Sequence, residues 1–91
     1  MFENSKNIEP VVRLSELSRG QFGEIVSTNA KGEIRRRLLD MGLIRGVQFI
    51  VIRKAPLGDP VEIKINGFLL SLRNEEAQYI FVKSLDQISL N

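Results

Sequence analysis

The sequence predicts a mainly β domain, a small, partly closed antiparallel barrel of about five short strands and one short helix. Three observations carry this expectation. The pair Asn66-Gly67 suits a two-residue hairpin turn, and the pairing it sets puts only apolar side chains on one face. Short β-branched and apolar runs are cut by glycine and proline, with no βαβ spacing and no Gly-rich phosphate loop. The chain has 91 residues, room for one modest core, and closing a small sheet on itself removes exposed edges.

Residues 1–10 are polar with no apolar period and end at Pro10, so a flexible lead-in is expected over 1–11, the domain proper over 12–83, and 84–91 as a tail. Val12, Leu14 and Leu17 are expected to be buried, Arg19-Gly20 to turn, and Gln21 to Thr28 to form a strand. Gly23 inside that strand suggests a bulge or a sharp bend. A helix follows, roughly Ala30 to Met41, with Ile34, Leu38 and Met41 as its buried stripe and Leu39 on the flank. Gly42 suits the left-handed residue after a helix, and Leu43 would then fold back on Leu38 in a Schellman ending. A break at Arg45-Gly46 releases the strand "VQFIVIRKA". Its apolar run Phe49 to Ile52 implies cover on both faces and a central place in the sheet. Pro56 ends it, and "LGDP" turns the chain.

A two-residue loop at Asn66-Gly67 pairs Ile65 with Phe68, Ile63 with Leu70 and Val61 with Leu72 on one face. Lys64 with Leu69 and Glu62 with Ser71 fall on the other. Turn chemistry and hydrophobic pattern therefore agree, and the first set, with Ile34, Leu38, Phe49 and Val51, is the predicted core. Asn74 is placed to cap a single helical turn, "EEAQYI", before a last short strand at Phe81-Val82.

Composition removes much chemistry. Hydrophobic residues make up 43% and charged residues 26%, which marks a folded chain rather than a disordered one. With no cysteine and no histidine, the chain lacks a disulfide framework, a thiolate nucleophile, the commonest transition-metal ligand and the commonest general base. The acids are scattered, and no serine has a base to activate it. The expectation is no enzyme, no cofactor and no iron bound by this chain alone. No apolar run reaches the ~20 residues of a membrane span, and no signal-peptide pattern opens the chain, so a cytoplasmic location is expected.

Charge is uneven. Between Lys31 and Lys54 lie seven basic residues against Glu33 and Asp40, whereas the rest of the chain has more acids than bases. At its centre stands Arg35-Arg36-Arg37. Helical residues step by about 100°, so three in a row are dispersed in space and cannot form one anion clamp. The expected duties are structural: Arg35 lays its stem on apolar surface, Arg36 pairs weakly with Asp40, and Arg37 bonds a nearby loop carbonyl. "GDP" at 58–60 is a turn in which Asp59 can accept from backbone amides. Nucleic-acid binding finds little support, since no tryptophan is present and the phenylalanines sit at mostly core positions.

The run from Arg37-Leu38 through Met41-Gly42-Leu43, Gly46, Ala55-Pro56, Gly58-Asp59-Pro60, Gly67 and Leu72-Arg73 to Ala77 and Ile80 resembles the FeoA family, small cytosolic partners of bacterial ferrous-iron transport. The likeness extends from about Leu14 to Val82. It implies an SH3-like barrel with one helix inserted after the first strand, and as partner the membrane GTPase of ferrous-iron transport, met at its cytosolic face. A chain of this one domain fits a stand-alone FeoA better than the related domain of iron-dependent repressors. The residues expected to meet the partner are Arg36 and Arg45 by charge, and Leu43, Ile44 and Leu57 by apolar contact. The alternative is a regulatory barrel of an iron-dependent transcription system, or a weak nucleic-acid-binding barrel.

Overall fold

The hairpin at Asn66-Gly67 forms as its turn chemistry requires. Asn66 has φ 52° and Gly67 φ 87°, the two left-handed positions of a type I′ turn. The register is Ile65 opposite Phe68, Ile63 opposite Leu70 and Val61 opposite Leu72, as expected. The structure, a computed structural model, describes residues 10–86. The predicted lead-in up to residue 9 and the tail from residue 87 lie outside the described residues.

In chain order the elements are β1 (Val11–Arg13), a 3₁₀ turn (Leu14–Glu16), β2 (Phe22–Thr28), α1 (Gly32–Asp40), β3 (Gln48–Lys54), β4 (Val61–Ile65), β5 (Phe68–Leu72), α2 (Asn74–Ala77) and β6 (Ile80–Leu85). The strands make one antiparallel sheet in the order β1-β6-β2-β3-β4-β5, curled but not closed. β3 lies inside the sheet, as its apolar run implied.

Three differences from the expectation have local causes. β1 is a strand because Val11 to Arg13 pair with Lys83 to Phe81, yet three residues are too few to show a period. The helix therefore follows the second strand and not the first. β6 runs on to Leu85, past the expected boundary at 83, because Ser84 and Leu85 pair with Gly23 and Phe22. The bulge of β2 lies between Ile25 and Ser27, not at Gly23. Gly23 has another reason: a Cβ there would lie 2.6 Å from Cζ of Phe49 on the neighbouring strand.

α1 ends as its sequence dictates. The Leu43 N–H donates to the Leu38 carbonyl and the Gly42 N–H to that of Leu39, both at 3.0 Å, with Gly42 at φ 84°. Leu38 and Leu43 are both buried in the core, together with Leu14, Ile25, Phe49, Val51, Ile63, Ile65 and Val82. Three members of the expected core are misplaced in degree. Ile34 on the helix and Leu70 on β5 are half-buried, and Phe68, at the hairpin end of an edge strand, is 51% exposed.

A candidate interaction surface

The basic segment is partly consumed by the fold. Arg37 reaches across to α2, where its Nη2 lies 3.1 Å from Oε2 of Glu76. Glu76 is the one buried charged side chain among the described residues, 2% exposed, and its Oε1 also accepts the Arg73 N–H at 2.9 Å. The carboxylate is thus held at both oxygens, by a guanidinium and by the backbone amide of Arg73, the residue just before α2. The expected partner of Arg37, a loop carbonyl, is replaced by this acid. Arg37→Met should cost about 1–3 kcal/mol, because it leaves a buried carboxylate without its countercharge. Denaturant unfolding measures this, and a loss below about 0.5 kcal/mol would mean that solvent already satisfies Glu76.

Asp59 closes the same corner. Its Oδ1 accepts the Asn74 N–H at 3.1 Å, so the "GDP" turn caps α2 from the end of a different hairpin. Asn74 is therefore inside the turn, with Arg73 ahead of it at the cap position, and is not the cap that its residue type suggested. Elsewhere Arg53 Nη2 lies 3.1 Å from Oε1 of Glu62, and Lys54 Nζ donates to the Ser15 carbonyl at 2.9 Å.

What remains free for a partner is narrower than the sequence implied. Lys31, Arg35, Arg36 and Arg45 are exposed and make no ion pair among the described residues; Arg36 and Asp40, in particular, do not pair. These cations lie just before α1 (Lys31), on it (Arg35, Arg36) and in the loop after it (Arg45). Ile44, in that loop, is 50% exposed, and Leu39 on the helix is 42% exposed.

Leu43 must be removed from the expected contacts. It is 1% exposed, because the Schellman ending that turns the chain also drives this side chain into the core. Leu57 is at the opposite extreme, 96% exposed at the tip of the β3–β4 turn. It does not, however, join Ile44 and Arg45. The Asn66-Gly67 turn lies beside Gly42, whose would-be Cβ is 3.4 Å from Asn66 Nδ2. The β3–β4 turn lies at the other end of β4, roughly 13 Å away along the strand. The five expected residues thus resolve into three exposed ones on α1 and in the loop after it (Arg36, Ile44, Arg45), one lone apolar tip (Leu57) and one core residue.

Two further features lie on the surface. Leu69, expected on the outward face of the hairpin, and Phe68, expected in the core, are 59% and 51% exposed on β5, the last strand of the sheet. A shallow pocket of about 320 Å³ lies beside the "GDP" turn, lined by Arg53, Ala55, Pro56, Pro60 and Glu62. Among the described residues, no three acidic, His or Cys side chains come together as a metal site. No helix of the described residues is long and apolar enough to cross a membrane.

The sequence profile of the FeoA domain matches residues 12–84. The Fe(2+) transport protein A/Fe(2+) transporter FeoB fusion protein of Porphyromonas gingivalis is 42% identical over 72 residues, covering 79% of this chain and 8% of the fusion. The chain therefore spans only a small part of that relative's length. Among solved structures, the FeoA protein of Chlorobium tepidum is 45% identical, with a TM-score of 0.75 over 88% of this chain and 76% of that one. The zinc-complexed FeoA of Stenotrophomonas maltophilia, described as a procaryotic SH3 domain protein, is 28% identical, with a TM-score of 0.69 over 79% of this chain and 89% of that one.

Proposed function

Because the chain belongs to the FeoA family, associated with Fe(2+) transport, we propose that it is an accessory interaction module of ferrous-iron uptake that docks on the cytosolic GTPase part of a FeoB-like transporter. The observation that carries this reading is the Porphyromonas gingivalis relative, in which the matching domain and the transporter share one chain. Fusion holds two domains at high effective concentration, which is useful when they work in contact. The contact surface is the end of the domain formed by α1 and the following loop. Arg36 and Arg45 steer an acidic partner face, and Ile44 supplies an apolar anchor. Exposed ion pairs give only ~0–1 kcal/mol each, so the cations govern arrival more than residence. Leu57 is a second contact at the far end of β4, within the span of a standard interface of ~800 Å² per partner.

The purified chain and the transporter's cytosolic domain, with and without guanine nucleotide, test this by surface-binding kinetics. Arg36→Glu with Arg45→Glu should slow association by about tenfold at low salt, an effect that fades as salt rises. Leu57→Ala should leave association unchanged and hasten dissociation by roughly 5- to 30-fold, the size of a 1–2 kcal/mol anchor. If only the arginine variant acts, Leu57 is not a contact; if neither acts, the surface is wrong. No binding of the unaltered protein in any nucleotide state overturns the function itself.

A further inference from the structure

We propose that the free edge of β5 pairs with the same edge of a second copy of this chain, antiparallel about a two-fold axis at Leu70. The two edges of the sheet are treated differently by the sequence. β1, the edge at one side, has only three residues, follows Pro10 and carries Arg13, which lies over the Phe81 ring at 5.6 Å. Shortness, proline and charge are the ordinary protections against strand pairing. β5, the edge at the other side, is "FLLSL", with no charge, no proline and no bulge in its pairing with β4. None of its residues makes a backbone hydrogen bond outside the β4–β5 hairpin among the described residues.

The hairpin fixes which groups face outward. Across a two-residue turn the flanking residues, Ile65 and Phe68, form a hydrogen-bonded pair, and bonded pairs alternate from there. Phe68, Leu70 and Leu72 therefore spend their N–H and C=O groups on β4, while those of Leu69 and Ser71 point away from the sheet. A second β5 centred on Leu70 sets Leu69 opposite Ser71 of the other copy in both directions. That register pairs every outward N–H and C=O of the strand. A centre at Leu69 or at Ser71 pairs one of these residues with itself and leaves the other opposite a turn or strand-end residue. The centred register also brings Leu70 against Leu70 and Phe68 against Leu72 on one face, all apolar. Without any charge, the strand offers nothing that would select an oppositely charged partner, and nothing that would repel a copy of itself. Pairing of a strand this short buries less than the ~1,200 Å² of a stable interface, so the association is concentration-dependent.

The chain has no cysteine, so a single introduced one reports the register. Leu70→Cys places two thiols at a non-hydrogen-bonded pair, with Cα atoms ~4.5 Å apart and within disulfide reach. In Leu69→Cys the two thiols are offset along the strands, with Cα atoms ~8 Å apart and out of reach. Oxidised at millimolar concentration, Leu70→Cys should give at least about tenfold more disulfide dimer than Leu69→Cys. Sedimentation of the unaltered chain should show mass rising above 10.3 kDa with concentration. Ser71→Pro removes an outward N–H without touching the β4 ladder, and should hold the mass at that of the monomer with an unchanged circular dichroism spectrum. A monomer at all concentrations, equal crosslinking of the two cysteine variants, or a dimer that survives Ser71→Pro would each overturn the proposal, including the case in which another protein's extended segment occupies this edge.

Discussion

Ile63→Ala is expected to destabilise the domain by about 2–5 kcal/mol. Ile63 sits at the middle of β4, fully buried, between Val51 on β3 and Leu70 on β5. Truncation removes buried methyl and methylene groups, and the flanking strands, held by ladders on both sides, can collapse only partly into the gap. A chain of this size has roughly 5–14 kcal/mol of stability in all, so the loss is a large fraction of it. Denaturant titration should show a lower midpoint with an unchanged slope. Leu57→Ala is the control: with its side chain 96% exposed, the same truncation should change stability by less than about 0.5 kcal/mol. Near-equal effects at the two positions would sink the assignment of β4 to the core.

The hairpin and the helix ending were legible because each is specified within a few residues. Asn66-Gly67 names its own turn type, and the alternation of Val61 to Ile65 then selects the face. What alternation cannot give is whether anything covers that face. Phe68 has the inward parity of Ile65, yet β5 is the edge of an unclosed sheet, and Phe68 is 51% exposed where Ile65, opposite it on the inner strand, is buried. Leu43 shows the same limit from the other side. A Schellman ending requires its side chain to fold inward, so that expectation and a role in partner contact were incompatible, and the local one prevailed.

The candidate surface was less legible because it depends on which arginines are already engaged. Arg37 and Glu76 meet only when α1 and α2 come together, and no spacing in the sequence signals such a pair. Dispersal of Arg35, Arg36 and Arg37 around a helix was a matter of geometry and holds: one turns to α2, while the other two remain without an ion pair among the described residues. The burial of Glu76 was the least accessible fact. An acid beside another acid in a polar turn reads as solvent-facing until its countercharge is placed.

Gly23→Val is expected to cost at least about 2–3 kcal/mol, and Gly23→Ala about 1–3, through overpacking alone. Gly23 lies in β2 directly opposite Phe49 of β3, and the ring of Phe49 folds over its backbone. An added Cβ would stand 2.6 Å from Cζ and 3.0 Å from Cε1 of that ring, and 3.2 Å from Cδ1 of Leu17. Phe49 is fully buried and Leu17 nearly so, so neither can swing into solvent. Backbone conformation is not the obstacle, because Gly23 is absent from the residues with positive φ. In a strand with ordinary φ, alanine would on its own be the better residue. The ring thus occupies the place that a side chain would take, an aromatic residue covering a cross-strand glycine. The clash should therefore vanish when the ring is shortened. Phe49→Leu alone should destabilise by cavity formation, but Gly23→Ala in that background should cost little or even stabilise. The double-mutant cycle should give a coupling of about 1–2 kcal/mol between the two positions. Additive costs would mean that Gly23 is required by something other than Phe49, and that the close approach of β2 and β3 at this rung is not what the sequence protects.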